Sequence, residues 1–364
     1  MTQITNSGSN PISGSIPAAA IESIASALPP LPTLPSISLP ELTGEVDPPA
    51  PTNTALPHHR ASAKVRYMNL LAVILPFAAF AFAVWSLWGI AVDWLYISLF
   101  LGMYLVSGLG ITIGFHRYFT HKSFETTKVG KWILGAAGSM AVEGPLVDWV
   151  AWHRQHHRHS DESDDPHSPH ADHGEDLKGI IKGFYHAHMG WMIKMGEPER
   201  MRYAPDIVRD PMLLSISRNF RWFMLAGLVI PAFIAMAVVW ISTGSFTSAL
   251  AAYGLGLVWG GLARVCFVHH VTWSVNSICH VWGSKTYESH DESRNNPIVG
   301  VLAFGEGWHN NHHAFPTSAR HGLAWWQFDL SYVIIKGLSF LGLTWDVKVP
   351  DAERRQAKLK KTAA

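Results

Sequence analysis

The amino-acid sequence predicts an all-α integral membrane protein with four transmembrane helices in two hairpins and a cytoplasmic helical cap that carries a histidine-rich site. Three observations lead to this prediction: four long apolar stretches, an uneven distribution of Lys and Arg around them, and clustered histidines. Of the 364 residues, 48% are hydrophobic and 15% are charged. The chain is therefore richer in apolar residues and poorer in charge than most soluble domains.

Four apolar stretches are long enough to cross a bilayer, which takes about 20 residues. They are Leu70–Ile90, Trp94–Phe115, Trp222–Ile241 and Phe246–Val268. The second stretch contains no charged residue, which argues against the alternative of buried helices in a large soluble protein. Arg264 is the single full charge inside a predicted span. It lies near the end of that span, where its side chain is expected to snorkel towards the interface.

Two further apolar stretches are too short or too interrupted to be spans. Glu143 interrupts Trp132–Val147, and Lys336 breaks Tyr332–Leu343. We expect both to form interfacial or buried helices.

The distribution of basic residues predicts the orientation of the hairpins. The turns at Ala91–Asp93 and Ser242–Ser245 contain no Lys or Arg, whereas basic residues flank the opposite ends of the spans. These residues are Arg60, Lys64, Arg66, Arg117, Lys122, Arg218, Arg221 and those of Arg354–Lys361. By the positive-inside rule, both termini and the long connections face the cytoplasm. We therefore expect a multi-pass protein of the cytoplasmic (inner) membrane, with its site on the cytoplasmic side.

Composition divides the chain into three parts and excludes some functions. Residues 1–60 are predicted to be a disordered tail rich in Pro, Ser and Thr, residues 61–350 the membrane domain, and residues 351–364 a basic cytoplasmic tail. A formal net charge of +1 gives no basic field that would attract nucleic acid. The two cysteines, Cys266 and Cys279, form no C-x-x-C pair, so neither a disulfide framework nor a cysteine zinc site is expected.

Histidines cluster at three places outside the spans. His116 and His121 lie at the end of the second span, in the pattern H-x₄-H. The pattern H-x-x-H-H occurs twice, at 153–157 and at 309–313. Positions i, i+3 and i+4 share one helical face, so each of these two clusters can direct its imidazoles towards one point. Asn276 and His280 form a fourth element, with i, i+4 spacing after the last span.

Nine clustered histidines predict a metal site that holds two ions. A closed zinc site takes four ligands, so nine are too many for one ion. Imidazole suits iron, copper, zinc and nickel alike, so the residue type does not select the metal. A metal transporter is an alternative of a different class. It should carry polar ligands near the bilayer midplane, whereas these histidines lie beyond the ends of the spans.

The motifs around these histidines resemble those of the membrane fatty acid desaturases of the acyl-CoA, delta-nine (stearoyl) type, especially bacterial members. The resemblance covers residues from about 65 to 350. The matching motifs are Gly114-Phe115-His116 to His121, His153 to Ser160-Asp161, Asp165-Pro166-His167-Ser168, Thr272 to Ser277, and Gly305-Glu306-Gly307-Trp308-His309 to Pro316.

This resemblance implies a di-iron centre held by histidines, with one iron also contacted by Asn276 through a water. The implied histidine ligands are His116, His121, His153, His156, His157, His280, His309, His312 and His313. Glu306 and Asp161 are expected to orient ligating imidazoles, and His269 and His270 are considered as possible neighbours of the site. The remaining histidines considered, His58, His59, His167, His170, His173, His186, His188 and His290, are treated as non-ligands.

The resemblance also implies the reaction and its partners. A cis double bond, expected at position 9, would be introduced into a saturated fatty acyl chain with O₂ and two external electrons. The chain contains no flavin, haem or iron–sulfur motif, so a ferredoxin or a cytochrome with its reductase is the expected donor. The acyl carrier, whether CoA, acyl-carrier protein or membrane lipid, stays open. A related di-iron fatty acyl hydroxylase is the alternative activity.

The substrate residues are predicted in two ways. The resemblance places Trp149, Thr272 and Trp273 along an acyl tunnel. Lys178 and Lys182 lie near the positions where family members carry basic residues for the head group, but this chain has extra residues, His170 to Glu175, in that region. Helix geometry adds Gly108 and Tyr104, because they lie eight and twelve residues before His116 on the second span. At 1.5 Å per residue they are about 12 and 18 Å deeper in the membrane. We expect them at the closed end of the tunnel, with close helix packing as the alternative role of Gly108.

Overall fold

The computed structural model describes residues 62–89, 93–194 and 196–360. The predicted disordered tail at 1–60 lies outside these residues, as do the last four residues of the basic tail. The α-helices are α1 (Ala63–Gly89), α2 (Trp94–Leu109), α3 (Lys128–Ser139), α4 (Leu146–His159), α5 (Leu177–Tyr185), α6 (Trp191–Lys194), α7 (Arg200–Tyr203), α8 (Pro205–Arg209), α9 (Pro211–Arg218), α10 (Phe220–Thr243), α11 (Phe246–Gly256), α12 (Arg264–Val281), α13 (Pro297–Leu302), α14 (His309–Ala314), α15 (Leu330–Phe340) and α16 (Ala352–Ala357).

Among the residues that the structure describes, three segments are π-helical, and one short sheet joins distant parts of the chain. The π-helical segments are Gly110–Thr120, His186–Gly190 and Leu257–Ala263. The strands β1 (Glu125–Thr126) and β2 (Thr344–Trp345) pair antiparallel, with Glu125 opposite Trp345 and Thr126 opposite Thr344. This pairing anchors the chain that follows the first histidine motif to the chain that follows α15.

Within the described residues, four helical stretches are long and apolar enough to cross a membrane, as predicted. They are Tyr67–Trp85, Trp94–Thr120, Phe220–Thr243 and Phe246–Val281. The last one continues well beyond the predicted end at Val268. Its later residues alternate between buried and half-buried, and they include His280, which is 1% exposed. These residues stay helical because protein surrounds them and satisfies their polar groups, although the sequence there is no longer uniformly apolar.

The expectation that Arg264 snorkels is wrong. Its side chain is fully buried, and it donates hydrogen bonds to the carbonyl oxygens of Met140 and Gly227, both at 2.7 Å, and of Gly260 at 3.2 Å. Met140 is the C-terminal cap of α3, where helix carbonyls lack partners within the helix. Arg264 therefore joins three helical segments through backbone carbonyls, because those carbonyls replace the water that a buried guanidinium has lost.

The apolar stretch Trp132–Val147 is divided between two helices. Helix α3 ends at Ser139, and α4 begins at Leu146 after its N-cap Pro145. The face of α3 that contains Gly138 packs closely on the π-helical segment, since a Cβ at Gly110 would lie 2.2 Å from the backbone N of Gly138. Two glycines at this crossing allow the backbones to touch. The contact fixes the position of the π-helical segment, and with it that of the first histidine motif, relative to α3. The other short stretch forms α15, Leu330–Phe340.

Candidate metal centre

The structure brings the nine predicted ligand histidines into two groups. The first histidine group contains His116, His121, His153, His157 and His312, and the second contains His156, His280, His309 and His313. Within each group, one ring nitrogen of every residue lies within 4.8 Å of those of the others. Four structural elements thus deliver imidazoles to two neighbouring points.

The first motif depends on the π-helical segment Gly110–Thr120. In an α-helix, residues five apart point about 140° away from each other. Here the backbone N of His121 instead donates to the carbonyl oxygen of His116 at 3.1 Å, an i→i+5 bond, and the two ring centroids are 4.8 Å apart. The H-x₄-H spacing and the wider helical turn therefore belong together, and such turns are frequent at functional sites.

The two H-x-x-H-H motifs do not each converge on one point, contrary to the prediction. On α4, His153 and His157 join the first group while His156 joins the second. On α14 the assignment is reversed, because His309 and His313 join the second group. The reason is helical geometry: positions i+3 and i+4 lie about 60° and 40° to opposite sides of position i, so their side chains diverge by about 100°.

The ring nitrogens inside each group face one another at short range. In the first group, Nε2 of His312 lies 3.0 Å from Nε2 of His116 and 2.8 Å from Nε2 of His157. In the second group, the Nε2 atoms of His280 and His309 are 3.1 Å apart. His153 and His157, which lie on α4 and belong to the first group, also have their Nε2 atoms 3.1 Å apart.

The protonation states of these histidines suit metal binding. Burial, followed by the repulsion of neighbouring imidazoles, holds the pKa of His153, His157 and His312 well below the usual value. Burial also lowers the pKa of His313 to about 4. The rings are therefore neutral at pH 7, with a lone pair available, which is the form that binds a metal ion.

The unpartnered nitrogens test whether the residues fit a metal. Among the described residues, Nε2 of His121, His156 and His313 is buried without a hydrogen-bond partner. Buried polar atoms are rarely left so. Converging, unpartnered ring nitrogens on buried imidazoles are accounted for by coordination to a metal. Each histidine group could hold a metal ion.

Carboxylates contact the outer ring nitrogen, Nδ1, of several of these imidazoles. The sequence predicted two of these carboxylates. Oε2 of Glu306 lies 2.5 Å from Nδ1 of His116, and Oδ2 of Asp161 lies 3.0 Å from Nδ1 of His280. Burial alone would raise the pKa of Glu306, but His116, His321 and Arg117 together hold it well below its usual range. A carboxylate on the outer nitrogen fixes the ring so that Nε2 points inward.

Two further carboxylates were missed by sequence reasoning. Asp165 contacts Nδ1 of His156 at 3.0 Å with both oxygens, and Asp291 contacts Nδ1 of His313. Burial opposes ionisation of Asp165, yet the neighbouring imidazoles lower its pKa to about 2. Asp165 belongs to the motif Asp165-Pro166-His167-Ser168, so the sequence did contain an indication of its place at the site. Nothing in the sequence around Asp291 distinguishes it from a surface residue.

A buried ionic network behind His116 was also missed. The Arg117 guanidinium donates to Glu306 at 3.2 Å, to Asp329 at 2.9 Å and to the carbonyl oxygen of Ala319 at 2.8 Å. His321, which the sequence analysis did not consider, lies 3.2 Å from Glu306 through Nδ1. Since these side chains are buried and contact one another, the network fixes Glu306 and therefore the ring of His116.

The other histidines lie outside the two groups. His269 contacts the carbonyl oxygens of Ala141 and Val142 at 3.0 and 3.2 Å, and His270 lies 3.0 Å from His188. Their ring nitrogens therefore have other partners than the group imidazoles. His167 is buried rather than in an open polar connection, with its ring centroid 4.3 Å from that of His156.

A cavity of about 340 Å³ runs along the two groups, and every predicted substrate residue lines it. His116 and His153 of the first group and His309 of the second border the cavity. The predicted substrate residues in its wall are Trp149, Thr272, Trp273, Tyr104 and Gly108, together with Asn276. Asn276 lies one helical turn before His280 on α12. The volume is in the range of small-molecule sites.

The deep part of the cavity is aromatic. The ring of Tyr104 lies 5.0 Å from that of Phe267 and 4.9 Å from that of Phe304, and its hydroxyl donates to the carbonyl oxygen of Leu302. Gly108 adjoins the same ring, because a Cβ there would lie 2.6 Å from Cε2 of Phe304. Gly108 thus lines the cavity and lies close to the Phe304 side chain, and its role at the closed end of the tunnel stays a prediction.

The opposite part of the cavity wall is polar and carries charges of both signs. Asp148 pairs with Arg200, which also reaches Glu197 at 3.4 Å. Lys178 and Lys182, the predicted head-group contacts, are exposed on α5 and do not belong to this wall.

Known proteins that are similar to this chain agree with the histidine-rich site described above. Residues 93–339 match the family model described as "Fatty acid desaturase". The chain is 41% identical over 290 residues to the hex-5-enoyl-[acyl-carrier protein] acetylenase of Moorena producens (strain JHB), covering 79% of this chain and 88% of the relative. It is 38% identical over 265 residues to the sn-1 stearoyl-lipid 9-desaturase of Anabaena variabilis, covering 72% and 87%. It is 31% identical over 279 residues to the icosanoyl-CoA 5-desaturase of Limnanthes douglasii, covering 75% and 70%.

The family match covers more than half of the chain, and the chain belongs to the fatty acid desaturase family. It is a membrane protein and an oxidoreductase that introduces double bonds into fatty acyl chains. The relatives' names differ in the acyl carrier and in the position of the bond.

Proposed function

We propose that this chain is an O₂-dependent desaturase that introduces a cis double bond, at position 9, into a saturated acyl chain held in the cavity. Two iron ions, one in each histidine group, complete the proposed centre. The observation that carries the proposal is the cavity that passes both histidine groups and ends in an aromatic pocket. Its wall there is apolar, as a methylene chain requires.

The ligand assignment follows the two groups. The first ion would be held by His116, His121, His153, His157 and His312, and the second by His156, His280, His309 and His313. Asn276 would reach the second ion through a water. Iron bound there would supply the O₂ activation that breaking unactivated C–H bonds requires, since protein acids and bases alone do not break them.

The balance of the reaction defines the partners. Removing two hydrogens from adjacent methylenes yields two electrons, and reducing O₂ to two waters takes four. Two electrons and two protons must therefore come from outside, and a ferredoxin or a cytochrome with its reductase is the proposed donor. Within the chain, the cavity wall positions the methylenes next to His116 and His153, and Glu306 fixes the ring of His116.

We further propose that the spans form two hairpins with both termini in the cytoplasm, which places the metal centre on the cytoplasmic side of the inner membrane. The basic residues that flank the spans support this orientation. A reporter domain fused after Ala364 should be active in the cytoplasm. Activity only on the outer side would contradict the orientation.

Expression in cells with a defined saturated acyl pool tests the function. Mass spectrometry of the extracted acyl chains should show a loss of two hydrogens and a double bond at position 9. Chains that gain one oxygen would indicate the hydroxylase, and a loss of four hydrogens would indicate a triple bond. Separate analysis of CoA esters, acyl-carrier-protein esters and membrane lipids identifies the carrier from which new product first appears.

A further inference from the structure

Glu143 is a half-buried carboxylic acid in the wall of the acyl cavity, and neither the metal centre nor the proposed reaction uses it. It lies in the connection between α3 and α4. Its Oε2 accepts a hydrogen bond from Nε1 of Trp149 at 3.0 Å, and Thr272 lines the same cavity. Its Oε1 is buried without a partner among the described residues. Trp149, one of the predicted substrate residues, therefore holds Oε2 of Glu143, while Oε1 has no partner among the described residues.

The position of Glu143 is close to the reacting part of the cavity. Trp149, its hydrogen-bond donor, stacks on the ring of His153 with a centroid distance of 5.0 Å and an angle of 22° between the planes. An acyl chain that passes His153 therefore passes Glu143 as well. A saturated chain offers no hydrogen bond at this level, because its polar atoms are confined to the head end.

Within the described residues, no cation contacts the Glu143 carboxyl. The charged and titratable groups nearest to it along the cavity wall have other partners. Asp148 pairs with Arg200, Glu197 lies at the outer part with its side chain 72% exposed, and His269 contacts the carbonyl oxygens of Ala141 and Val142. The imidazoles of the two histidine groups face one another, and Glu306 contacts His116. Burial raises the pKa of Glu143 to about 7, and the neighbouring Trp149 and Thr272 side chains only partly oppose this rise.

We propose that Glu143 is a specificity-determining residue that must carry its proton when a saturated acyl chain occupies the cavity, so that the chain binds to the neutral form only. This inference rests on the proposed function of the cavity. Oε1 takes the proton, because Oε2 already accepts from Trp149. A chain that fills the cavity displaces the water that would stabilise a carboxylate, and an isolated charge in an apolar site is strongly unfavourable.

The consequence is a proton taken up with the substrate. Occupation of the cavity removes water from Glu143, so its pKa in the complex is higher than in the free enzyme. Below the lower of these two values binding does not depend on pH. Between them, affinity for the chain falls by up to about tenfold for each pH unit. The rate constant of the saturated enzyme contains no such step, because every complex already has the proton.

The experiment compares the natural chain with Glu143→Gln in membranes, with a saturated acyl substrate, from pH 6 to pH 9. For the natural chain we expect KM to rise up to about tenfold per pH unit above pH 7, with a much smaller change in kcat. Glutamine keeps the size and polarity of the side chain but does not titrate, so its KM should no longer rise. The matched control is Glu197→Gln, an acid of the same cavity wall that is exposed, and it should keep the slope.

Equilibrium binding of a radiolabelled saturated substrate to the oxidised natural enzyme, without an electron donor, gives a second measurement that needs neither turnover nor the Gln variant. A dissociation constant that stays constant from pH 6 to pH 9 would overturn the proposal, as would an unchanged slope in Glu143→Gln. Absence of desaturation in the natural chain at every pH would instead contradict the proposed function.

Discussion

The two histidine groups differ in what supports them from behind. Three of the four imidazoles in the second group have a carboxylate on their outer nitrogen, supplied by Asp165, Asp161 and Asp291. In the first group, which has five imidazoles, Glu306 on His116 is the one such contact among the described residues. Carboxylates raise the basicity of an imidazole and fix its orientation. We infer that the second position holds its ion more rigidly, whereas the first depends on the number of its ligands.

The first group also lies more directly on the cavity. Two of its members, His116 and His153, line the cavity, against His309 alone from the second group. We therefore infer that the acyl chain contacts mainly the first histidine group, whereas the second histidine group would bind its ion more firmly. The predictions below separate these two contributions.

The largest effect is expected from removing a ligand of the first group. His157→Ala or His312→Ala should lower desaturation below detection, because each side chain makes a converging Nε2 contact within the group. Product analysis and the amount of protein in the membrane fraction are the measurements. Insertion should persist, since both residues lie outside the apolar spans.

His159→Ala is the matched control for the ligand variants. It lies on α4, the same helix as His157, but its ring contacts Tyr203 and Glu162 and belongs to neither group. It should keep most of the activity. Near-normal product from either ligand variant would make the assignment of the first group wrong.

The next largest effect should come from a carboxylate of the second group. Asp291→Asn removes the charge behind His313, and loss of such a partner typically lowers metal affinity by about 10–100-fold. Challenge with a chelator followed by metal analysis should leave about one ion per chain. Glu292→Gln, at a neighbouring side chain that is 49% exposed, should retain both ions. Equal metal retention by Asp291→Asn and Glu292→Gln would contradict the inferred difference in support between the two histidine groups.

Glu306→Gln should have a smaller effect on metal content than Asp291→Asn. Four imidazoles of the first group have no contact with Glu306, so the first ion keeps most of its ligands. Activity should fall about tenfold, because a partner carboxylate orients the ring of His116 and is also part of the Arg117 network. Complete loss of the first ion would show that this group also depends on its carboxylate.

The sequence predicted the chemistry-bearing residues better than it predicted their distribution. The nine histidines predicted as ligands meet because their motifs lie on helices with fixed side-chain spacing, and the five residues predicted to contact the substrate line one cavity. The division of each H-x-x-H-H motif between two groups was missed, because positions i+3 and i+4 were expected to share one face although their side chains diverge by about 100°. The prediction for Arg264 was wrong because a sequence does not show which carbonyls a buried guanidinium will meet.

Asp291 and His321 illustrate a second limit. Both are buried at the centre, yet their local sequence resembles a polar surface loop. Such residues are brought in by long-range packing of the connections between α12, α14 and α15. By contrast, Glu306 and Asp161 adjoin histidine motifs, and their contacts with imidazoles were predicted from that proximity.

The smallest effect on the metal centre is expected at the closed end of the cavity. Gly108→Leu adds a side chain to the cavity wall, at a position where even a Cβ would lie 2.6 Å from Phe304, so the ring must move. We expect preference to shift to shorter chains, with both ions retained. Gly102→Leu on the same helix is the control, because a Cβ there meets nothing within 4 Å. Uniform loss on all chain lengths, with less folded protein, would indicate that Gly108 serves packing alone.

The number of metal ions in active protein tests the central claim most directly. Purified enzyme with full activity should contain two iron ions per chain, one for each histidine group. Zinc in an inactive sample would not decide the question, because imidazole sites accept several metals. Two irons per chain, with activity proportional to iron content, is the predicted result. One ion per chain in fully active protein would contradict the account.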